Sequence, residues 1–432
     1  MTQNSSAVRT GRRRTRTAAA TAAALVAVTL PGCGSLGAGG AGVTLHLVAT
    51  DYADRPGDGT RRYWEGLATR FRAEHPEIRL RIDLYDGSEV DRKVASLVRQ
   101  GRAPDVVQAG SFGDYAAQGR LYPVEELLPI RRQASFPSAL ADVGTIDGKQ
   151  YGMPFAASTR ALIYNKDLFE RAGIPAPPRT WAELAADAAR LKQAGVPIPY
   201  GLPLGAEESQ TETLSWLLSG GGGYTNDAGG YAFDSPENVR TLDWIGRRLV
   251  RQGLTGPDPV GTNRQEAYDS FTRGETGMLN GDPALLRRAG SSGIRFAVAP
   301  VPGLTGPSSA VTGVTDWMMA FKQNGHRKQI GAFLDFVYQD ANVLAFADRY
   351  DTLPVTTTAA EAMSADGARR PLQVYLDQLP GARFCPVGKR SWGPVLVRLK
   401  SLIGWAVAKN SNPDGVLKDL QDTAQALEST GS

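Results

Sequence analysis

The chain has 432 residues, of which 42% are hydrophobic and 21% are charged. This globular composition and length suffice for two domains of ordinary size. The chain carries 48 basic and 44 acidic residues, but five of the basic residues and none of the acidic ones lie in residues 1–32. Without that segment the balance is 43 to 44, so the charge gives no support for nucleic-acid binding.

Residues 1–32 predict a secretion signal. Five arginines precede the apolar run 18–30, which is too short to cross about 30 Å of hydrocarbon as a mature helix. The run ends in Leu30-Pro31-Gly32-Cys33 and resembles the signal of bacterial lipoproteins, in which the cysteine becomes the first residue and carries lipid. The resemblance implies lipidation of Cys33 and an extracytoplasmic location on the cell membrane. General and twin-arginine export both stay open.

The two cysteines have different expected roles. Residues 33–42 are rich in glycine and predict a flexible tether behind the lipidated Cys33. Cys385 then has no partner for an intrachain disulfide, and no histidine lies beside it to activate the thiol. The three histidines are far apart in the sequence, so no metal site rich in histidine is expected, although a carboxylate site stays open.

Strand and helix patterns alternate from residue 43 onward. Residues 43–49 alternate around Leu45, Leu47 and Ala49, which predicts a buried first strand. Apolar residues at helical spacing follow at Trp64, Leu67, Ala68 and Phe71. The next predicted elements are a strand over 79–84, a helix around 94–98 and a strand over 105–109. This order predicts right-handed βαβ units and a largely parallel sheet.

Similar units recur in the second half of the chain. Residues 161–164 predict a strand, and Thr180 with Glu183 forms a capping box at the start of a helix. The glycines at 220–223 predict a loop rather than a phosphate cradle, because no Lys-Ser/Thr pair follows them. Apolar spacing predicts further helices around 330–337, 396–407 and 416–427.

Several segments, in order along the chain, resemble the extracellular solute-binding proteins of ABC importers, the large group typified by maltose-binding protein. The most specific stretch is GKQYGMP at 148–154 followed by LIYNKDL at 162–168. Further matching segments are APDVV at 103–107, YAAQGRL at 115–121, FTRGETGM at 271–278, FAVAPVP at 296–302, GVTDWMMA at 313–320 and LPV at 353–355. Together they cover nearly all of the chain after the leader.

The resemblance implies an α/β fold of two lobes, the type 2 periplasmic-binding-protein-like fold. Each lobe would be a mixed, mostly parallel sheet flanked by helices, with a hinge between the lobes. The expected limits are 43–156 plus 313–352 for the N-terminal lobe and 157–312 plus 353–432 for the C-terminal lobe. Ligand would bind in the cleft and close the hinge. A monomer without cofactor or catalysis is expected, with the permease subunits of an importer as its partners.

A carbohydrate is the expected ligand, either a monosaccharide or an oligosaccharide. One alternative keeps the receptor and changes the solute to a polyamine, a glycerophosphodiester, iron or sulfate. A more remote alternative is a surface glycoside hydrolase, which needs paired carboxylates roughly 5–10 Å apart, such as Asp51 and Asp282. No sequence spacing supports that pair.

Candidate ligand-binding residues follow from the rule that ligands bind beyond the carboxyl ends of strands. The rule and the expected crossings between lobes nominate Asp51, Tyr52, Ser111, Phe112, Ser158, Thr159, Arg160, Asp282, Thr315, Asp316 and Trp317. Trp392 is added by the resemblance, as an aromatic near the start of a late helix that stacks on sugar.

Two kinds of contact are assigned to these candidates. Asp51, Asp282, Asp316 and Arg160 would bind sugar hydroxyls, while Tyr52, Trp317 and Trp392 would offer an apolar platform. Structural roles stay open for several of them. Asp51 could cap a helix, Arg160 could pair with an acidic residue across the hinge, and both tryptophans could pack in the core. Glu212 and Trp216 could face the cleft, but Trp216 is more typical of a core position.

Overall fold

A computed structural model of the protein describes residues 42–52, 59–87 and 89–429. The predicted signal peptide, Cys33 and the tether up to residue 41 lie outside the described residues. Within the described ranges, no helix is long and apolar enough to cross a membrane.

In the part of the chain that the structure describes, the strands form two sheets of five and four strands and one short hairpin. They are β1 (Val43–Asp51), β2 (Ile78–Asp86), β3 (Val106–Ala109), β4 (Thr145–Ile146), β5 (Lys149–Gln150), β6 (Met153–Thr159), β7 (Ala161–Asn165), β8 (Ile198–Gly201), β9 (Thr276–Gly281), β10 (Phe296–Ala299) and β11 (Gly313–Ala320). The first sheet has the order β2-β1-β3-β11-β6, and the second has the order β10-β7-β9-β8.

Seventeen α-helices lie between the strands in the described part of the chain. They are α1 (Thr60–Glu74), α2 (Val90–Arg99), α3 (Gly113–Ala117), α4 (Ile130–Gln133), α5 (Ser138–Val143), α6 (Lys166–Arg171), α7 (Trp181–Gln193), α8 (Ser209–Ser219), α9 (Pro236–Ile245), α10 (Arg264–Thr272), α11 (Pro283–Ser291), α12 (Arg327–Val337), α13 (Asp340–Tyr350), α14 (Thr357–Ala365), α15 (Gln373–Gln378), α16 (Trp392–Leu402) and α17 (Pro413–Ser429). Short 3-10 helices (Val124–Glu126, Gly367–Leu372, Leu379–Gly381, Ile403–Val407) and a π-helical turn (Gly246–Val250) complete them.

Helices cover both faces of the first sheet. Leu45 and Leu47 of β1 point into one apolar cluster, together with Trp64 of α1. Val48 points into a second cluster, with Val94 of α2. A strand buried on both faces is what the βαβ pattern of the sequence predicts, because a parallel sheet needs helices on both sides.

Both sheets are mixed and mostly parallel, as predicted, because each contains a single strand that runs against the others. In the first sheet β1 is parallel to β2 and β3, whereas β11 is antiparallel to both β3 and β6. In the second sheet β8 pairs in parallel with β9, and β7 is antiparallel to β9 and β10. Four of the five strands of the first sheet and three of the four strands of the second therefore run in one direction, as the expectation of mostly parallel sheets requires. The antiparallel pairs arise where the chain crosses between sheets and returns in the opposite direction.

Two segments connect the sheets. Arg160 is the single residue between β6 of the first sheet and β7 of the second. The return runs from β10 through residues 300–312 to β11. We call the parts built on the first and second sheets the first lobe and the second lobe.

The C-terminal segment contacts both lobes. The exact lobe limits stay a prediction. Leu353 forms a β-bridge with Ala157 of β6, and the Thr357 amide donates to the Ser135 carbonyl at 2.8 Å. Residues 353–379 thus contact the first lobe, which the limit 353–432 for the C-terminal lobe did not foresee. Trp392, Leu399 and Leu420 pack in the apolar cluster of the second lobe.

The capping box and the glycine-rich loop that the sequence predicts are both present in the second lobe. The Glu183 amide donates to Thr180 Oγ1 at 3.1 Å, and the Thr180 amide donates to Glu183 Oε2 at 3.2 Å, which completes the capping box of α7. Residues 221–223 form a loop after α8. The side chain of Asn165 caps α6 by accepting from the Leu168 amide at 3.1 Å, a structural role.

Candidate functional site

Three polar side chains meet at one edge of the first sheet, and we call them the first-lobe cluster: Tyr52, Gln108 and Asp316. Tyr52 follows β1, and Asp316 lies at the carboxyl end of β3 because β11 runs antiparallel to β3. Gln108 Nε2 donates to Asp316 Oδ2 at 2.6 Å and to Tyr52 Oη at 3.0 Å, while the Tyr52 hydroxyl donates to the same carboxylate. The cluster thus gathers a carboxylate, an amide and a phenol.

The surroundings of the Asp316 carboxylate disfavour its negative charge. Burial raises the pKa of Asp316, the hydrogen bonds from Tyr52 and Gln108 oppose the rise, and the negative charge of Glu208 adds to it. Gln108 is held in place from the other side, because its Oε1 accepts from the Thr50 amide at 2.9 Å. The arrangement keeps an acceptor ready at the sheet edge.

Asp91, near the start of α2, adds a second carboxylate to this edge. It accepts hydrogen bonds from the backbone amides of Gly110 and Ser111, which follow β3. Asp91 is accessible to solvent, but the protein atoms around its carboxylate displace part of the hydration that the charged form would have. This loss of solvation raises the pKa of Asp91 to about 6, and the charge of Asp316 contributes to the rise.

The second lobe presents a network of ion pairs, which we call the second-lobe network: Arg160, Glu207, Glu208, Arg264 and Asp282. Arg160 Nη2 lies 2.7 Å from Glu208 Oε1, and Arg160 Nη1 lies 3.4 Å from Asp282 Oδ2. The guanidinium also donates to Ser158 Oγ at 3.3 Å. Arg160 is only 3% exposed, so the network compensates a charge that is almost fully removed from water.

Arg264 joins the same network from the start of α10. It lies 2.5 Å from Glu208 Oε2, 3.0 Å from Glu207 Oε1 and 3.6 Å from Asp282 Oδ2. Its guanidinium lies over the Tyr268 ring, 5.2 Å from the centroid. The nearby carboxylates raise the pKa of both arginines against the opposing effect of burial.

The two lobes interact electrostatically at this place. Glu208 of the second lobe raises the pKa of Asp316 in the first, and Asp91 of the first lobe raises the pKa of Lys400 in the second. Burial lowers the pKa of Lys400 more strongly, so the net direction is down. The first-lobe cluster, Asp91, Lys400 and the second-lobe network therefore line one interlobe site.

The structure brings eight of the nominated residues to this site or beside it. Tyr52 and Asp316 belong to the first-lobe cluster, and Arg160 and Asp282 belong to the second-lobe network. The Ser111 amide contacts Asp91, Ser158 contacts Arg160, and the Thr315 hydroxyl donates to the Asp316 carbonyl at 3.1 Å. Asp51, the last residue of β1, is partly buried next to Tyr52.

The nominated residues Phe112, Thr159, Trp317 and Trp392 are buried, which corrects their assignment. Phe112 and Trp317 pack against each other with ring centroids 5.3 Å apart. A Cβ atom on Gly152 would lie 2.6 Å from Phe112 and 2.8 Å from Trp317, so the three pack tightly. A tryptophan with 0% exposure, as Trp317 has, presents no face to a sugar.

Trp392 and Thr159 are buried for similar reasons. Trp392 is 2% exposed and lies beside Tyr224, with ring centroids 5.9 Å apart. The Thr159 hydroxyl donates to the Tyr375 carbonyl at 3.3 Å and to Gln378 Oε1 at 3.2 Å. For both tryptophans, the structural alternative considered from the sequence is the one observed.

Glu212 and Trp216 of α8 also lie inside the second lobe. Trp216 Nε1 donates to Glu212 Oε1 at 2.9 Å, and the Tyr200 hydroxyl and Asn280 Nδ2 donate to the same oxygen at 3.3 Å. Burial outweighs these hydrogen bonds and raises the pKa of Glu212 to about 7. This carboxyl group is therefore partly protonated near neutral pH.

Several site residues were not predicted: Asp91, Gln108, Glu207, Glu208, Arg264 and Lys400. The strand-end rule could have found Glu207 and Glu208, because they lie in the segment after β8. Gln108 lies inside a strand, and the other three lie on helices, where the rule has no application. Within the described ranges, no group of three or more His, Cys, Asp or Glu side chains is arranged to hold a metal ion.

Comparison with known proteins relates this chain to one protein family and to several binding proteins. The family profile of bacterial extracellular solute-binding proteins matches residues 57–343. A protein of Brucella abortus (strain 2308), named as a binding protein, is 28% identical over 391 residues, which are 89% of this chain and 93% of that protein. The sn-glycerol-3-phosphate-binding periplasmic protein of Salmonella typhimurium is 26% identical over 340 residues, 74% of this chain and 75% of the relative.

A solved structure matches the fold over almost the whole described chain. The cyclic alpha-maltosyl-1,6-maltose binding protein from Arthrobacter globiformis superposes with a TM-score of 0.74. The alignment covers 90% of this chain and 100% of that protein at 21% identity. The two-lobed arrangement of mixed sheets and flanking helices is therefore that of periplasmic binding proteins.

Proposed function

This chain belongs to the family of bacterial extracellular solute-binding proteins, and from that membership we propose that its ligand is a sugar, bound between the lobes. It is the substrate-binding component of an ABC importer, a receptor without catalytic activity. The observation that carries the proposal is the interlobe site, where carboxylate, amide and hydroxyl groups of the first lobe lie near the second-lobe network. Such groups bind sugar hydroxyls in fixed geometry.

Binding would act through the hinge. A sugar that contacts Asp316 in the first lobe and Asp282 in the second binds the closed form better than the open one. The differential affinity then shifts the population towards the closed form. Arg160 lies at the crossing between β6 and β7, so its ion pairs anchor the second lobe at the point about which the lobes would move. The closed form is the one that the permease subunits would accept.

The charges of the site favour a sugar over a phosphate ester such as sn-glycerol-3-phosphate. Arg160 and Arg264 are already paired with Glu207, Glu208 and Asp282. The Lys400 ammonium donates to the Glu207 carbonyl at 2.8 Å. A phosphate dianion would have to compete for these cations while it approaches Asp91 and Asp316, and like charges in a poorly solvated site repel strongly.

Tyr52 takes the place of the buried tryptophans as the aromatic platform. Tyr52 is a partly buried residue, and its ring packs against Phe346 and Tyr350, with ring centroids 5.3 Å and 5.4 Å away. An aromatic face binds the flat C–H face of a sugar ring. The hydroxyl of Tyr52 is held by Asp316, which would fix the orientation of the ring before the ligand arrives.

A lipid anchor on Cys33 is part of the proposal, and its support is the lipoprotein-like leader. The other cysteine, Cys385, is half-buried in the second lobe, and loss of solvation raises the pKa of its thiol to about 12. The thiol is therefore unreactive near neutral pH. An anchor at Cys33 with a glycine-rich tether would keep the receptor near the importer and raise its local concentration.

A thermal-shift panel tests the proposal. The chain purified without its leader is heated with a broad set of mono- and oligosaccharides, with polyamines and with sn-glycerol-3-phosphate. A sugar at about 100 times its Kd stabilises the folded protein by roughly 2.7 kcal/mol. A shift with sn-glycerol-3-phosphate and none with any sugar would contradict the sugar assignment and support the phosphate ester.

A further inference from the structure

Two ion pairs join the lobes in addition to the chain crossing at Arg160, and we call them the interlobe ion pairs. Arg287 of α11 forms an ion pair with Asp351. Arg390 Nε lies 3.7 Å from Asp114 Oδ1. In each pair the arginine belongs to the second lobe and the aspartate to the first, so the pair can form only while the lobes face each other as they do in this structure.

The aspartate of the first interlobe ion pair is fixed to the first sheet. Asp351 ends α13, and two residues later the Leu353 amide donates to the Ala157 carbonyl of β6 at 2.6 Å. The Asp351 side chain is 17% exposed, so its carboxylate is partly removed from water. Its partner Arg287 lies on α11, the helix between β9 and β10 of the second sheet. This pair therefore connects the two sheets.

The arginine of the second interlobe ion pair is held in the second lobe by its two neighbours. Lys389 forms an ion pair with a glutamate of α17. Ser391 Oγ lies 3.0 Å from the hydroxyl oxygen of Tyr231, which belongs to the apolar cluster of the second lobe. The aspartate, Asp114, lies in α3, which follows β3 of the first sheet. Arg390 therefore reaches from the second lobe to the first.

The interlobe ion pairs lie on opposite faces of the first sheet. The first pair is at the end of α13, whose Phe346 packs in the same apolar cluster as Leu45 of β1. The second pair is in α3, whose Ala116 packs in the same cluster as Val48, on the other face of β1. Contacts on both faces oppose a rotation of the second lobe towards either side.

Both aspartates are also close in the chain to the candidate ligand site. Tyr350 directly precedes Asp351, and its ring packs against Tyr52 of the first-lobe cluster with ring centroids 5.4 Å apart. Asp114 lies in the helix that begins just after Ser111, at the carboxyl end of β3. A change in either pair is therefore a change at the rim of the interlobe site.

We propose that the interlobe ion pairs act as an electrostatic latch, which holds the lobes together before any ligand binds. Ion pairs of this exposure are individually weak, but two arrangements of a protein in equilibrium differ little in free energy, so weak contacts change their populations. The apparent affinity for a ligand scales with the fraction of molecules in the binding-competent arrangement. The latch therefore raises the affinity for every solute that is bound between the lobes.

The test measures the distance between the lobes in the ligand-free chain, purified without its leader and with both native cysteines replaced by serine. Spin labels are attached at Glu125→Cys in the first lobe and Asp227→Cys in the second, both at exposed positions. Double electron–electron resonance then gives the distribution of distances. The double variant Arg287→Glu/Arg390→Glu replaces both attractions by repulsion and should shift the distribution to longer distances.

A matched control removes the same number of ion pairs within the lobes. Arg92→Glu/Arg398→Glu reverses two exposed arginines whose partners, Glu89 and Asp419, belong to the same lobe as the arginine. This variant should keep the distribution of the parent chain.

Salt and a charge swap separate electrostatics from packing. KCl at about 1 M screens exposed charges, so it should lengthen the distances in the parent chain and shorten them in Arg287→Glu/Arg390→Glu. The swapped variant Arg390→Glu/Asp114→Arg forms the second pair again with reversed polarity. It should restore short distances that Arg390→Glu alone loses, which a purely steric role of Arg390 would not allow.

Two results would overturn the latch. One is an unchanged distribution in Arg287→Glu/Arg390→Glu, with the fold verified by circular dichroism. The other is an equal shift in the control variant. No sugar is present in this experiment, so its outcome is separate from the thermal-shift test of the proposed function.

Discussion

Arg160 Nη2 lies 2.7 Å from Glu208 Oε1, and Arg160 is the single residue between β6 of the first sheet and β7 of the second. The guanidinium is therefore fixed to the second lobe at the point where the chain crosses. An ion pair at this place, between almost buried partners, is a structural element of the hinge as well as a wall of the ligand site.

Replacing Arg160 tests its structural role. Arg160→Met leaves Glu208 and Asp282 without one of their two cations, and breaking a buried pair in this way costs about 3–5 kcal/mol. Arg273→Met is the control, because the pair of Arg273 and Glu275 is exposed and screened by water, and such a pair contributes little to stability. Urea unfolding measures both. Similar losses for the two variants would contradict a special role for Arg160.

Glu212 makes the stability of the protein depend on pH. Its folded pKa of about 7 lies above the ordinary value of 4.5, so between these values the folded state binds more protons than the unfolded state. Stability should therefore fall as pH rises from about 4.5 to 7. Glu212→Gln should remove this contribution, on the order of 1–3 kcal/mol between pH 5 and pH 8.

The measurement for Glu212 is the free energy of unfolding at several pH values. Asp187, whose pKa burial also raises to about 6, is present in both proteins and does not affect their difference. The exposed variant Glu125→Gln is the control. An unchanged pH dependence in Glu212→Gln would show that this carboxyl group is ionised in the folded protein well below pH 7.

Trp392 is expected to act on stability and not on ligand affinity. Trp392→Leu removes part of a buried ring from the apolar cluster of the second lobe and should cost about 2–4 kcal/mol. The Kd for the bound sugar should stay within about twofold, measured below the melting temperature. Tyr52→Leu is the counterpart, expected to weaken sugar binding about 10-fold or more. A tenfold loss of affinity in Trp392→Leu with unchanged stability would contradict this and support stacking of Trp392 on the sugar.

Lipidation at Cys33 predicts the mass of the mature N-terminus. In the native host, the N-terminal peptide should begin at Cys33 and carry a lipid that Cys33→Ser lacks. Cys385→Ser is the matched control and should keep the lipid. Mass spectrometry of the membrane fraction decides the question, and a mature N-terminus at another residue would exclude the anchor.

The sequence predicted the order of the elements better than the contents of the site. Periodicity located α1 and β1, and the ordered motifs indicated two lobes, because these signals are local or collinear. Tyr52, Arg160, Asp282 and Asp316 of the candidate site could be nominated because they follow strands or lie at the crossings. Asp91 and Lys400 could not be nominated from the sequence, since their proximity depends on how helices from two lobes face each other.

The aromatic residues show a second limit of sequence analysis. Trp317 precedes the apolar stretch Met318-Met319-Ala320, and its own burial follows from close packing against Phe112 and Gly152. A tryptophan stacked on a sugar and a tryptophan packed in a core have the same local pattern. Only the tertiary contacts separate the two, which is why both roles stayed open until the structure was known.

The most direct test of the account is calorimetric titration of the sugar that gives the largest thermal shift into two single variants, one from each lobe. Asp316→Asn changes the first lobe and Asp282→Asn the second. A ligand held between the lobes should bind each variant at least about 10-fold more weakly than the unmodified protein. Unchanged affinity in either variant, with the fold intact, would contradict binding in the interlobe site.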